Sequence, residues 1–185
     1  MRVTAIGWMV LAALSCAAPA QARDYEQLTG TAADGTRFYQ DSISIRAPLA
    51  KVWAAFTDQA SFRAWAAPVS AVDFRIGGAI EASYDPRGHL GDPQNIKNQF
   101  IAYIPERLLV FRNVQAPDGL PGKEVYGDTV KTIEFASIAT GEVRVTVSGI
   151  GFGEGASFDR LYGFFANGDG DMLVTLKKAM ETPQH

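Results

Sequence analysis

Few side chains in this sequence could carry out acid–base, nucleophilic or metal chemistry. It has two histidines, of which His185 is the last residue, and a single cysteine, Cys16. It contains no Gly-x-Ser-x-Gly, His-Glu-x-x-His or phosphate-binding-loop motif. His89 stands between Asp85 and Asp92 in a Pro/Gly-rich loop, where a carboxylate could orient it as a general base. A solvated loop histidine is the simpler interpretation, so His89 is the only catalytic candidate and a weak one.

A second polar segment imitates the start of a calcium-binding loop. Residues 167–171 are Asn-Gly-Asp-Gly-Asp, but the next glycine is missing, and Lys178 stands where the twelfth position requires Glu. We interpret the segment as a polar interruption of a helix. The sequence predicts neither a metal site nor a cofactor.

The first 22 residues are typical of an export signal. Arg2 precedes an uncharged apolar run over residues 5–18, and Ala20-Gln21-Ala22 supplies a small-x-small cleavage site. The apolar run is short for a bilayer span. Retention as an N-terminal anchor and lipid attachment at Cys16 are the alternatives, but Leu14 stands two rather than three residues before that cysteine. We expect cleavage after Ala22 and a periplasmic or secreted protein.

The remaining chain has the size of one domain. Cleavage leaves 163 residues (185 − 22), enough for a sizeable core, and removes the only cysteine. The formal net charge of the whole sequence is −3, with mixed signs and no basic run, which disfavours a nucleic-acid partner and electrostatic attraction to anionic lipid. Residues 23–36 are polar and rich in Gly and Thr, so we predict a flexible lead-in to a domain over residues 37–182.

Hydrophobic periodicity predicts the order of elements in this domain. Ile43 and Ile45 alternate as in a strand that Ala47-Pro48 ends, and Val52, Trp53 and Phe56 then recur at helical spacing. Further strands are predicted over residues 72–76, 79–84, 96–104, 108–114, 130–136 and 143–148, with a turn at Thr140-Gly141 between the last two.

The C-terminal segment changes to a helical period. Its apolar residues recur every three or four positions: Phe158, Leu161, Tyr162, Phe165, Met172, Leu173, Leu176 and Met180. Gly168 and Gly170 interrupt this helix, each at a cost of about 1 kcal/mol relative to Ala. Their missing side chains either admit the sheet closely or leave room for a ligand.

Residues 43–78 resemble the START-like helix-grip superfamily (SRPBCC), in particular homologues of the heat-shock-protein-ninety ATPase activator. The residues that carry the resemblance are Ala47-Pro48, Val52-Trp53, Trp65, and Asp73, Arg75, Gly77 and Gly78. The resemblance continues to about Ala179. It implies an α+β helix-grip fold, in which a curved antiparallel sheet wraps around a long C-terminal helix and two short helices follow the first strand.

In such relatives a cavity lies between the sheet and the last helix, and the aromatic residues of this chain fall on the elements that line it. Each aromatic by itself is better explained as core, but an aromatic-lined cavity with few polar groups suits a small apolar ligand. Arg75 and Tyr84 are the candidate polar groups. The predicted ligand-binding residues are Phe62, Trp65, Arg75, Tyr84, Phe100, Tyr103, Phe111, Phe152, Tyr162 and Phe165, with Tyr126 as a further aromatic.

Three classes of function fit this sequence. The first is an exported domain that binds a hydrophobic or amphipathic small molecule, without stable membrane insertion. The second is a cyclase- or hydrolase-type enzyme that uses the same cavity. The third is a protein-interaction module, which export disfavours because no ATP-driven chaperone of that kind acts outside the cytoplasm. The shortage of acid–base candidates favours binding over catalysis.

Overall fold

An eight-stranded antiparallel sheet forms the frame of the protein in the computed structural model, which describes residues 23–182. The predicted signal peptide with its cleavage site after Ala22, the alternative lipid attachment at Cys16, and His185 all lie outside the described residues. The sheet is curved and not closed, and a long helix crosses it. The predicted α+β helix-grip fold is confirmed.

The eight strands are arranged in the order β1-β2-β8-β7-β6-β5-β4-β3, so β1 and β3 are the edges. Each neighbouring pair is antiparallel, and in every pair except β2–β8 the two strands are consecutive along the chain. Their bounds are β1 Glu26–Thr31, β2 Arg37–Ile45, β3 Val69–Val72, β4 Ala79–Ser83, β5 Ile96–Ile104, β6 Leu108–Gln115, β7 Val130–Ala139 and β8 Glu142–Phe152.

Between residues 23 and 182, three α-helices accompany the sheet: α1 Leu49–Thr57, α2 Gln59–Trp65 and α3 Ala156–Glu181, with a 3₁₀ helix at Lys123–Asp128. Asp58 ends α1 and caps α2, because its carboxylate accepts a hydrogen bond from the Ser61 amide at 2.8 Å. Trp65 Nε1 donates to the carbonyl of Ala55 at 2.8 Å, which fixes α2 against α1. Despite Gly168 and Gly170, α3 is continuous over 26 residues.

The predicted pairing of the last two strands is confirmed. Phe135 on β7 stands opposite Val145 on β8, and Gly141 in the turn between them has φ of 72°, a conformation that favours glycine. Val143, Val145 and Val147 are buried on the concave face, as their alternation with polar residues indicates.

Two sequence-based boundaries are wrong. The predicted flexible lead-in contains β1, whose Gln27 stands opposite Asp41 on β2. Most side chains of β1 are exposed and the strand is held by backbone pairing, so composition gives little signal for it. The strand predicted over residues 72–76 is instead β3 at Val69–Val72, because residues 73–78 form a turn in which Gly78 donates to the carbonyl of Arg75.

The core divides into two clusters along α3. The larger cluster packs α1, α2 and the C-terminal half of α3, with Leu173 and Leu176, against the sheet. The smaller cluster surrounds Tyr39 and Leu161 near the start of α3. Between the two clusters lies the polar and glycine-containing segment of α3, residues 167–171.

The two glycines of α3 have different surroundings. A Cβ atom added at Gly170 would lie 2.0 Å from Cζ of Tyr25, so this glycine admits the N-terminal segment closely. A Cβ atom added at Gly168 would meet no atom of residues 23–182 within 4 Å, its chain neighbours and its own helix backbone aside. Of the two explanations offered by the sequence, close approach therefore applies to Gly170 and free space to Gly168.

Gly168→Ala and Gly170→Ala form a matched pair of substitutions two residues apart on one helix. Both gain helix propensity, so we expect Gly168→Ala to raise the free energy of unfolding by up to about 1 kcal/mol. Gly170→Ala should instead lower it by about 1 kcal/mol or more, because the ring of Tyr25 must move. Urea unfolding followed by circular dichroism measures both. In a Tyr25→Ala background the two substitutions should become equivalent; equal stabilisation with Tyr25 present would contradict this packing.

Candidate ligand-binding cavity

A cavity of about 630 Å³ lies where the two core clusters meet. Its walls come from α1, α2, the middle of α3, strands β4 to β7, the loop at residues 117–121 and the 3₁₀ helix. The middle of α3 cannot fill this space, because Gly168 has no side chain and the neighbouring positions are polar. The cavity thus follows from the interruption of the apolar pattern of α3.

The α3 residues of the wall recur at helical spacing and form an inner and an outer row. Phe165, Asp169 and Met172 form the inner row and are buried or half-buried. Phe164, Gly168, Asp171 and Thr175 form the outer row, and all four are exposed. We call this outer row the cavity rim. It is the side of α3 from which a ligand could enter.

Aromatic side chains dominate the remaining wall. Five of the predicted ligand-binding residues line the cavity, namely Phe62, Trp65, Tyr84, Phe111 and Phe165, together with the further aromatic Tyr126. Phe56 and Phe164 were not predicted and complete a set of eight rings. Tyr84 is 67% exposed and lies at the opening of the cavity. Such a wall binds apolar groups by removing them from water.

The other predicted ligand-binding residues do not line the cavity. Phe100 is fully buried between Phe74 and Phe111, and Tyr103 lies against the outer side of Phe74. Phe152 and Tyr162 pack edge-to-face in the smaller cluster, with ring centroids 5.2 Å apart. These residues lie on the elements expected to line a cavity, but their side chains complete the core or its surface instead.

Arg75 is on the surface, where its guanidinium contacts both carboxylate oxygens of Asp73 at 3.1 and 2.9 Å. The predicted role of Arg75 as a polar group of the cavity is therefore wrong, because its guanidinium is a surface partner of Asp73. His89, the catalytic candidate, is 76% exposed, and its Nδ1 lies 3.7 Å from Asp92. The cavity wall within residues 23–182 contains neither of them.

The polar part of the wall is built around Asp169 on α3, which is only 5% exposed. Tyr39 donates its hydroxyl to Asp169 Oδ2 at 2.5 Å, and Lys131 Nζ lies 2.8 Å from each carboxylate oxygen. Tyr39 on β2 and Lys131 on β7 both stand opposite Gly149 on β8. A Cβ at Gly149 would lie 2.3 Å from the Tyr39 ring, so glycine makes room for this arrangement.

Lys131 also contacts the aromatic wall. Its ammonium lies 4.2 Å from the ring centroid of Phe165, which in turn stacks on Tyr126 at 5.9 Å. Tyr126 donates its hydroxyl to Asn98 Oδ1 at 2.9 Å. Burial raises the pKa of Tyr126, and Asp169 raises it further, so the phenol stays protonated and remains a donor.

A second carboxylate, Asp41, is fully buried behind this group. Gln27 donates to its Oδ1 at 2.9 Å, but Oδ2 finds no hydrogen-bond partner within residues 23–182. Burial raises the pKa of Asp41 to about 6, and the negative charge of Asp169 adds to this effect while the hydrogen bond from Gln27 opposes it. Asp41 thus ionises near neutral pH.

The polar group Tyr39, Asp41, Lys131 and Asp169 was not among the predicted site residues. Alternation along the strands could have found three of them, since Tyr39 and Asp41 are in phase with the buried Ile43, and Lys131 with Ile133. Asp169 is four residues from both Phe165 and Leu173, on the apolar stripe of α3. A polar or charged residue that recurs in phase with buried apolar residues is the sequence signal that could have indicated this buried polar group.

Two further properties concern the described residues alone. Between residues 23 and 182, no three His, Cys, Asp or Glu side chains come close enough together to hold a metal ion. No helix of this part is both long and apolar enough to cross a bilayer.

The comparisons with known proteins agree with this fold. The chain belongs to the family described as activator of Hsp90 ATPase homolog 1-like protein, whose model matches residues 46–181. This confirms the resemblance to the helix-grip (SRPBCC) superfamily, a fold that supports a ligand-binding or activator domain in general. No curated protein gives a significant match to the sequence.

Solved structures with the same fold share little sequence with this chain. The solution structure of the Aha1 dimer from Colwellia psychrerythraea has a TM-score of 0.61 at 16% identity, covering 79% of this chain and 97% of the other. CalU16 from Micromonospora echinospora has 0.56 at 18%, with 88% of each chain covered. Protein MLL2253 from Mesorhizobium loti has 0.60 at 18%, covering 79% and 99%. These likenesses concern the fold.

Asp41→Asn should change how stability depends on pH. Because the pKa of Asp41 is raised, its contribution to folding is fully present below the ordinary pKa near 4 and is lost as pH rises through about 6. An amide stays neutral, so we expect the variant to exceed the unsubstituted protein in stability by on the order of 2 kcal/mol at pH 8, with little difference at pH 4. Chemical unfolding at both pH values measures the gap.

Asp24→Asn, at an exposed position, serves as the control that corrects for the change in net charge. A gap that is equally large at pH 4 and pH 8 for Asp41→Asn would contradict the ionisation of Asp41 within this range.

Proposed function

We propose that the protein binds an apolar or amphipathic small molecule in the cavity between the sheet and α3. The observation that carries the proposal is a cavity of about 630 Å³ that is bounded by aromatic side chains and by the bare backbone of Gly168. Small-molecule sites commonly measure about 300–1,000 Å³ and combine apolar walls with a few fixed polar groups. The ligand class rests on this geometry and on the composition of the wall.

The polar groups of the cavity favour binding over catalysis. Lys131 and Asp169 neutralise each other at 2.8 Å, and Tyr126 is engaged with Asn98. Groups held in this way can orient a ligand, whereas a general acid or base must be free to exchange a proton at the reacting atom. The position of His89 on the surface gives no support to the enzyme alternative.

We also propose that the protein acts after export, in the periplasm or outside the cell. The support comes from the sequence: Arg2, the apolar run over residues 5–18, and Ala20-Gln21-Ala22. A partner in that compartment would be a small molecule rather than a cytoplasmic ATPase. The family name refers to activation of such an ATPase, which would need a docking surface rather than a cavity.

Export predicts a new N-terminus. Protein purified from its own host should begin at Arg23, because a signal peptidase cleaves after the small-x-small site. N-terminal sequencing and intact mass of the exported protein measure this directly. A chain that begins at Met1, or at a lipid-modified Cys16, would contradict it.

Gly168→Leu should block ligand binding by filling the cavity from its rim. The neutral dye N-phenyl-1-naphthylamine, which fluoresces in apolar surroundings, is a suitable probe, and Trp65 in the wall reports its approach. We expect the affinity for the dye to fall at least about tenfold, because a leucine side chain would occupy the space of the ligand. Fluorescence titration measures this loss.

Gly163→Leu is the matched control, since it makes the same substitution on the same helix. Among the described residues, a Cβ atom at Gly163 would also meet nothing within 4 Å, and Gly163 does not line the cavity. It should bind the dye like the unsubstituted protein. Thermal unfolding shows whether both variants fold. Dye binding that survives Gly168→Leu, or that is lost equally in both variants, would place the ligand elsewhere.

A further inference from the structure

The cavity rim brings an aromatic ring and a carboxylate to either side of a bare glycine. Phe164 lies four residues before Gly168, and Asp171 lies three residues after it. Residues at these spacings are neighbours on one face of a helix, about one turn or 5.4 Å apart along its axis. Phe164 is 47% exposed, and it packs against the edge of Phe165 with centroids 5.2 Å apart.

We propose that the ligand carries an ammonium group that lies over Gly168, between the ring of Phe164 and the carboxylate of Asp171. The apolar part of the ligand then extends into the cavity. This inference rests on the proposed function and adds the charge of the ligand to it.

The first support is the charge of the cavity wall. Its charged side chains within residues 23–182 are Asp169, Asp171 and Lys131, which leaves one negative charge in excess. Asp169 and Lys131 neutralise each other in the inner row. The excess charge is therefore that of Asp171 at the rim, which forms no ion pair within 4.0 Å in the described part of the chain.

The second support is the aromatic composition of the opening. A cation is attracted to the face of an aromatic ring, and the attraction grows where water is partly excluded. Phe164 on α3 and Tyr84, which directly follows β4, are both exposed and line the cavity. The protein already shows one such contact at greater depth, where the ammonium of Lys131 lies 4.2 Å from the ring centroid of Phe165.

An anionic ligand fits this arrangement less well. Within the described part of the chain, the only cationic side chain of the wall is Lys131, which contacts both oxygens of Asp169. An anion at Lys131 would have to compete with Asp169 for the same ammonium group. The negative charge of Asp171 would repel the anion at the rim.

Three matched ligands separate these possibilities: decyltrimethylammonium, decanoate and 1-decanol, which share a linear alkyl chain and differ in charge. The two charged ligands are titrated below their micelle concentrations and 1-decanol below its solubility limit, against the protein loaded with N-phenyl-1-naphthylamine at low ionic strength. We expect decyltrimethylammonium to displace the dye at a concentration at least about tenfold lower than decanoate, with 1-decanol between them. Added salt should narrow this difference, because the rim is exposed.

Two rim variants test the assigned contacts. Asp171→Asn should weaken displacement by decyltrimethylammonium about threefold and strengthen displacement by decanoate. Phe164→Leu keeps an apolar side chain but removes the ring. It should therefore weaken displacement of the dye by decyltrimethylammonium about threefold, while displacement by 1-decanol changes less than twofold. Asp159→Asn is the control for the loss of a carboxylate, since Asp159 lies on the same helix, pairs with Arg37 and does not line the cavity.

The outcomes distinguish this inference from the proposed function. If the dye binds and Gly168→Leu blocks it, but decanoate displaces it as well as the cation does, the cavity binds ligands and the ammonium assignment is wrong. Equal effects of Asp171→Asn and Asp159→Asn would also overturn the assignment. If neither the dye nor any of the three alkyl ligands binds in a Gly168-dependent manner, both proposals fail.

Discussion

The buried ion pair between Asp169 and Lys131 fixes how α3 sits in the curved sheet. A carboxylate that is 5% exposed is costly unless it is paired and hydrogen-bonded, and here it receives Tyr39 from one strand and Lys131 from another. Both partners stand opposite Gly149 on β8. Because this glycine has no side chain, Tyr39 and Lys131 can both reach Asp169 on the helix. Breaking a buried pair of this kind commonly costs about 3–5 kcal/mol, which opposes rotation of α3 about its axis.

The cavity is a consequence of the same segment. Residues 167–171 lack the apolar side chains that would join the two core clusters, and the ion pair prevents the helix from turning a better-filled face inward. Interiors are normally packed without large voids, so an opening in the middle of the gripped helix is a departure from the usual core. The rings of Phe165 and Trp65 in its wall hold the space open because each packs edge-to-face with its own neighbours.

Membership of the family accounts for the fold of the protein but does not identify its ligand. The relatives share the fold at 16–18% identity, a level at which walls and rims of a cavity differ between proteins. Fold does not determine function, so the ligand has to be argued from the side chains of this chain. The polar inner row and the charged rim are such features. The raised pKa of Asp41 makes the stability of the protein depend on pH, which the fold alone does not require.

Local patterns in the sequence determined most of the frame. The alternation Val143, Val145, Val147 and the turn glycine at 141 specify a hairpin without outside help, because side chains on a strand alternate between two faces. The helical period from Phe158 to Met180 specifies α3 for the same kind of reason. The strand β1 escaped this reasoning, since it is held by backbone pairing with β2 and by the contact of Tyr25 with Gly170, neither of which leaves a local pattern.

The sequence alone predicted part of the cavity wall. Aromatic residues on the elements of a helix-grip fold indicated a cavity wall, and five of the predicted residues do line it. Which rings face the cavity and which complete the core depends on strand register and helix rotation, so Phe100 and Phe152 could not be separated from Phe111 and Phe165 by spacing alone. The meeting of Tyr39, Lys131 and Asp169 joins positions up to 130 residues apart. Only the tertiary structure brings them together, because the three residues lie on two strands and a helix that are far apart in the sequence. The two strands become neighbours of the same strand, β8, only when the whole sheet has formed.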